Sequence, residues 1–214
     1  FDWDNTLIDN WGSIHAALNA TFSAFDRPLW TLDEAKGRVR ESLRESFPRL
    51  FGDRWEAARE HFYACFREGH LEGLRLRPDA EAALNACATA SIPMAVVSNK
   101  TGALLRAEVA HLGWTARFGA ILGAGDAARD KPDPQPAFDA LELLKTPVSS
   151  DVWFVGDTEI DVDCALTAGL TAILLPGTPN VPARPQARSM AGLGALAAAI
   201  RASAGIDTPS GAFN

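Results

Sequence analysis

Four segments of the chain read as short apolar strands that stop at small or polar residues. Ile92 to Val97 runs into Ser98-Asn99, Val152 to Val155 into Gly156-Asp157, and Thr171 to Leu175 into Pro176-Gly177, with a weaker run at Gly119 to Leu122. Runs that are apolar almost throughout, rather than alternating, suit strands buried on both faces of a parallel sheet. Helical patterns separate them, over Gly102 to Leu112, Pro134 to Leu144 and Ile160 to Ala168. Asp133 and Pro134 form a start signal for the second of these, and Gly169 a stop for the third. Alternating strands and helices predict an α/β fold with a Rossmann-like parallel sheet, whose ligands sit at the carboxyl ends of the strands.

Residues from Trp11 to Arg77 break this rhythm. Ile14, Leu18, Phe22 and Phe25 fall at helical spacing, while Leu32 to Phe47 and Trp55 to Leu71 read as amphipathic helices. No strand is expected among them. The expected organisation is therefore an α/β core of residues 1–12 and 78–214 with an all-helical cap inserted at 13–77. A proline-studded loop from Pro176 to Pro185 and an Ala-rich helix near Ala191 to Ala202 follow the last strand. The chain opens at Phe1-Asp2 without a methionine, so part of the first strand is expected to lie upstream.

Composition narrows the function. With 47% hydrophobic and 22% charged residues the 214-residue chain has ordinary globular character. Lys+Arg 20 against Asp+Glu 27 gives a net charge of −7, and no basic run occurs. Nucleic acid and anionic membrane surfaces are poor partners for such a chain. The three scattered cysteines, Cys65, Cys87 and Cys164, indicate neither a disulfide framework nor a thiolate metal site. No apolar stretch approaches the ~20 residues that span a bilayer. A cytoplasmic monomer or homodimer is the expected form.

Four clusters carry candidate chemistry, each at or just past a strand end. The first is Asp2-Trp3-Asp4-Asn5-Thr6, where strand alternation puts the two aspartates on one face, about 7 Å apart along the chain. The second is Ser98-Asn99, an anion site if it stands before a helix. The third is Lys131, just ahead of a Pro-started helix, and the fourth is Gly156-Asp157 with Asp161 four residues on. Singly, each has a plainer reading as a turn, a helix cap, a solvated lysine or a dipole partner. Together, at the ends of one sheet, they would put four carboxylates in one crevice with Lys131, Ser98 and Asn99. That charge calls for a hard divalent cation, and oxygen ligands with open water positions suit Mg²⁺. A nucleophilic aspartate, a metal and an anion cradle describe phosphoryl transfer through an aspartyl-phosphate.

These four clusters, in this order, resemble the motifs of the haloacid dehalogenase-like hydrolases, over nearly the whole chain up to about Leu175. The helical insertion is similar to a type-1 cap, as in phosphoglycolate phosphatases and β-phosphoglucomutases. The resemblance implies that Asp2 is the nucleophile and a Mg²⁺ ligand. Asp4 is then the general acid/base, which also offers its backbone carbonyl to the metal. Ser98, Asn99 and Lys131 hold the phosphate of a small phosphorylated metabolite. Asp157 is a metal ligand, with Asp161 and Thr6 in support. The family usually has Gly where Asn5 stands, and Asn tolerates the left-handed region. True dehalogenases lack the second aspartate, so Asp4 favours a phosphatase.

Competing readings are a phosphomutase, a phosphonate hydrolase that would draw on Lys36 (the insertion's one lysine), and an idle module that binds a partner through its cap. Arg38, Arg40, Ser42 and Arg44 share a candidate cap helix, and Arg40 and Arg44 share a face, so Arg44 is expected to read the substrate's leaving group. Trp11, near the start of the cap, is placed to line the substrate pocket. His15, His61, His70 and His111 lack metal-site spacing and are expected in core or surface roles.

Overall fold

A computed structural model describes residues 1–39, 43–179, 181–182 and 184–206 of the chain. The sheet forms from the apolar runs: β3 (Ala95–Thr101), β4 (Ala120–Ala124), β5 (Trp153–Gly156), β6 (Thr171–Leu174) and a short β7 (Arg188–Ser189). β3 pairs in parallel with β4, and β5, β6 and β7 pair in parallel in that order. Phe1 and Asp2 join the two halves: Val97 donates to the Phe1 carbonyl at 2.9 Å, and the Asp2 N–H donates to Val155 O at 2.8 Å. The chain start thus lies at the centre of the sheet, and its residues reach the same edge as the ends of β3 and β5.

Both faces of the sheet are buried, as the unbroken apolar runs predict. Val96, Val155 and Ile173 enter one core with α5 (Ala80–Thr89), α6 (Gly102–His111) and α9 (Leu193–Ser203). Their neighbours Val97, Phe154 and Ala172 enter a second core with α7 (Gln135–Leu143) and α8 (Glu159–Thr167). Neighbouring residues pointing to opposite faces is the strand period of two. The helix signals are seen too: Asp133 Oδ1 accepts from Gln135 N at 2.9 Å, and Gly169 takes φ +75 just past α8. β3 runs on past Val97, however, so Ser98 and Asn99 lie within the strand, while α6 starts at Gly102 as expected.

The cap is helical: α1 (Trp11–Ala24), α2 (Leu32–Arg38), α3 (Leu43–Phe51) and α4 (Trp55–Gly69) pack around Leu18, Phe22, Phe47, Phe62 and Phe66. Two expectations need correction. The single helix expected over Leu32 to Phe47 is interrupted, because Val39 turns extended (φ −82, ψ 103) and ends α2; Arg40 and Ser42 lie outside the described residues. A strand also lies where none was expected: β2 (Arg75–Leu76) pairs antiparallel with β1 (Ile8–Asp9), where the chain leaves and re-enters the core. Two residues are too few to show a period in sequence. Among the described residues no helix is long and apolar enough to cross a membrane.

Candidate active site

Asp2, Asp157 and Asp161 meet at the carboxyl edge of the sheet, all buried, with one carboxylate oxygen of each within 4.8 Å of the others. Asp2 and Asp157 arrive on strand ends, and Asp161 from the first turn of α8. Lys131, 2% exposed, donates to Asp2 Oδ1 at 2.7 Å and to Asp161 Oδ1 at 2.6 Å. Asp161 Oδ2 turns back to accept from Thr158 N at 3.0 Å and Thr158 Oγ1 at 2.7 Å, so its side chain caps α8 and is locked in place. Among the described residues the Asp157 carboxylate is met only by hydroxyls, Thr6 Oγ1 at 3.1 Å and Thr178 Oγ1 at 2.5 Å.

Close approach of backbone makes this crowding feasible. A Cβ at Gly156 would collide with the Asp161 side chain, and one at Gly177 would lie 2.7 Å from Asp157 Oδ2. Asn5 takes φ +64, so the tolerance of Asn for the left-handed region is used at the turn after Asp4.

The charges do not balance. Three carboxylates face one ammonium. Burial raises the Asp2 carboxyl to about 6, with the charges of Asp161 and Asp4 adding to the rise and Lys131 opposing it. Burial likewise lifts Asp157 well above the carboxylate range, aided by Asp2 and Asp161 and only partly offset by Thr178 and Thr6. Burial works against the charge of Lys131, but Asp161 and Asp2 outweigh it and raise its pKa. An all-oxygen donor set with an excess of two negative charges fits a hard divalent cation. Asp2 and Asp157 would hold it, and Asp161 stands within reach.

Asp4 belongs to a second cluster, which the sequence reading did not find. Lys100 donates to Asp4 Oδ1 at 2.8 Å and to both carboxylate oxygens of Glu108 at 2.7 Å. Asn10 Nδ2 adds a second donor to Asp4 Oδ1 at 2.7 Å. Glu108 is fully buried and also accepts from Trp3 Nε1 at 2.6 Å, His70 Nδ1 at 2.8 Å and Asn10 Nδ2 at 3.3 Å. The carboxylate can only accept, which assigns the proton of that hydrogen bond to His70 Nδ1. A buried glutamate so supplied with donors anchors Lys100, and Lys100 with Asn10 holds one oxygen of Asp4. A mid-helix Glu carries no sequence signal of burial, whereas Lys100, one residue past Ser98-Asn99, was in plain view.

Other expected residues are placed differently. Ser98 is buried, lines the crevice and accepts from Lys100 N at 3.2 Å. Asn99 reaches the crevice too, but its side-chain amide is committed to the Lys131 backbone, donating to Lys131 O at 2.9 Å and accepting from Lys131 N at 3.0 Å. These two bonds position Lys131, and they use one of the two N–H donors of the amide. Thr6 sits behind Asp157, away from the crevice wall. Arg44 does not line the crevice; the buried Asp130 draws its guanidinium, Nε to Oδ2 at 2.8 Å, and so ties cap to core beside Lys131. Trp11 does line it. Burial pushes the Cys164 thiol up to about 12, which removes it as a nucleophile at neutral pH.

A parallel α/β sheet with an inserted helical cap and a buried acidic cluster at its strand ends defines a capped Rossmann-like enzyme. Residues 1–175 match the haloacid dehalogenase-like hydrolases, and the chain belongs to that family. It is therefore a hydrolase. A phosphoglycolate phosphatase of Rhodobacter capsulatus is 29% identical over 185 residues, which cover 81% of each chain. Among solved structures, a HAD-superfamily hydrolase from Ehrlichia chaffeensis is similar with TM-score 0.64 at 28% identity, covering 94% of this chain and 93% of that one. CbbY from Rhodobacter sphaeroides, solved with phosphate, shares the fold with TM-score 0.80 at 22% identity, over 92% and 94% of the two chains.

Proposed function

We propose that this hydrolase is a Mg²⁺-dependent phosphatase that cleaves a small phosphate monoester through an aspartyl-phosphate on Asp2, in the manner of the phosphoglycolate phosphatases it is related to. The observation that carries the reading is the cluster of Asp2, Asp157 and Asp161 around the buried Lys131. When bound, Mg²⁺ would neutralise the excess charge of these carboxylates and of the substrate phosphate. Asp2 attacks phosphorus with its carboxylate, the bond from phosphorus to the ester oxygen breaks, and that oxygen takes a proton from Asp4. Asp4 then takes a proton from the water that attacks phosphorus, the bond from phosphorus to Asp2 breaks, and phosphate leaves. Asp4 is built for this shuttle, because Lys100 and Asn10 occupy Oδ1 and leave Oδ2 to carry the proton. Lys131 and Ser98, which line the crevice together with Asp2, would meet the phosphate. Lys36 does not line the crevice, which leaves a phosphonate hydrolase without its Schiff-base lysine.

Phosphate release from phosphoglycolate and from p-nitrophenyl phosphate tests the reading, with Mg²⁺ and then with EDTA. Turnover should require Mg²⁺. Asp2→Asn should give no product burst on p-nitrophenyl phosphate, whereas Asp4→Asn should release about one equivalent and then turn over on the order of 10²–10⁴ more slowly than wild type. Full activity in EDTA, or a burst from Asp2→Asn, would reject it.

A further inference from the structure

The last helix of the cap meets the core along one face. Tyr63, Phe66 and His70 stand three and four residues apart on α4 and at its C-terminal cap, so their side chains share a side of the helix. Each touches a residue at the end of β3 or on α6. The hydroxyls of Tyr63 and Thr101 share a hydrogen bond. The Lys100 ammonium lies 4.9 Å from the centroid of the Phe66 ring, a cation–π contact. His70 Nδ1 donates to Glu108 Oε1 at 2.8 Å, and its ring stacks on that of Phe66 at 5.1 Å. Phe66, His70 and Glu108 are all buried, so these contacts are made out of water.

The contacts of Phe66 and His70 converge on Lys100. An ammonium has three donors, and those of Lys100 go to Asp4 Oδ1 and to the two oxygens of Glu108. Two of the three are thus set by Glu108, whose Oε1 also takes the His70 donor. A lysine stem is flexible, so the partners at its end decide where its charge sits. Asp4 in turn takes its orientation from Lys100 and Asn10 at Oδ1. Its proton must reach the ester oxygen over a hydrogen-bond distance, and a displacement of ~1 Å can cost about 10²-fold in rate.

Resting on the phosphatase reading above, we propose that Phe66 and His70 of the cap are positioning residues for the general acid. Phe66 directly, and His70 through Glu108, place the Lys100 ammonium, and Lys100 places the carboxyl of Asp4. The acid is then aimed only while α4 lies against the end of β3. His70 does not line the crevice, so its effect on the reaction passes through this chain of contacts. The Tyr63–Thr101 bond keeps the same helix in register on the core.

The leaving group separates positioning from plain structural support. p-Nitrophenolate departs with little help from an acid, whereas the alkoxide of benzyl phosphate needs the proton. With Mg²⁺, the single-turnover rates of p-nitrophenol and benzyl alcohol release give a ratio. Both are measured on one preparation, so partial misfolding of a variant cancels. His70→Leu should raise that ratio about tenfold, and Phe66→Leu several-fold, since each loosens one hold on Lys100. His70→Asn offers an amide N–H near the place of Nδ1 and should return the ratio to within about twofold of wild type. In an Asp4→Asn background His70→Leu should leave the ratio where it stands, because the two act through one group. Equal losses on both esters in His70→Leu and Phe66→Leu would overturn the proposal and leave the phosphatase reading intact. So would a rise in the ratio that survives in Asp4→Asn. A raised ratio that His70→Asn fails to restore would remove the His70 donor from the chain of contacts. No alcohol from either ester with the wild-type protein would overturn both readings.

Discussion

Two lysine side chains, Lys131 and Lys100, are each buried between two carboxylates, 2% and 5% exposed, and they sit in opposite electrostatic situations. Around Lys131 stand Asp2, Asp161 and the uncompensated Asp157, and burial, with the neighbouring carboxylates adding to it, raises the pKa values of Asp2 and Asp157. Around Lys100 two carboxylates face one ammonium and neutral donors take up the smaller surplus: Glu108 is saturated with donors from Trp3, His70 and Asn10, and Asp4 keeps one oxygen free. The first cluster is incomplete without a cation. The second is complete and serves as a frame. A buried surplus of charge without donors marks where a ligand must come, and a buried charge saturated with donors marks what must not move.

The comparison can be broken by removing each ammonium in turn. Lys131→Met and Lys100→Met should each cost on the order of 3–5 kcal/mol of stability, because each leaves a buried carboxylate without its partner. Only the first deepens a cation site. Mg²⁺ should therefore raise the melting temperature of Lys131→Met more than that of wild type, and that of Lys100→Met by the wild-type amount. Equal Mg²⁺ shifts in both variants would show that the clusters are not distinct.

A smaller effect lies in pH. The Asp2 carboxyl, raised to about 6 from an ordinary 3.8, binds a proton more tightly in the metal-free fold than in the unfolded chain. The stabilising contribution of that proton is present at low pH and lost as pH rises through about 6, where the buried charge becomes a cost. Mg²⁺ must displace the same proton, so its affinity should increase as pH rises through about 6. The Mg²⁺-induced thermal shift should be larger at pH 7.5 than at pH 5. A shift independent of pH would remove Asp2 from the ligand set.

The smallest effect is expected at the cap. Arg44 is 43% exposed, and its pair with Asp130 should contribute about 1 kcal/mol or less. Arg44→Ala should lower activity on phosphoglycolate and on p-nitrophenyl phosphate by the same small factor. A rise in KM confined to one ester would restore Arg44 to substrate recognition.

From the amino-acid order alone one could read the buried strands, the helical insertion between Asp4 and Ser98, and the motif residues Asp2, Asp4, Lys131, Asp157 and Asp161. These were legible because each is a local signal: an apolar run with a polar stop, a helical period, a carboxylate at a strand end. What depended on distance along the chain was not. Glu108 lies 105 residues from Trp3 and 38 from His70, and nothing near it in sequence tells that it is buried. Thr178 reaches Asp157 from a proline-studded loop. Arg44 and Asn99, read as ligand-binding side chains, have protein partners that sequence did not show, because a charged or amide group next to a crevice takes the nearest buried complement. Sequence determined which groups were available for chemistry. Tertiary structure alone decided which of them were already satisfied by one another and which were left for a ligand, since hydrogen-bond and charge complements are spent between elements that only the fold brings together.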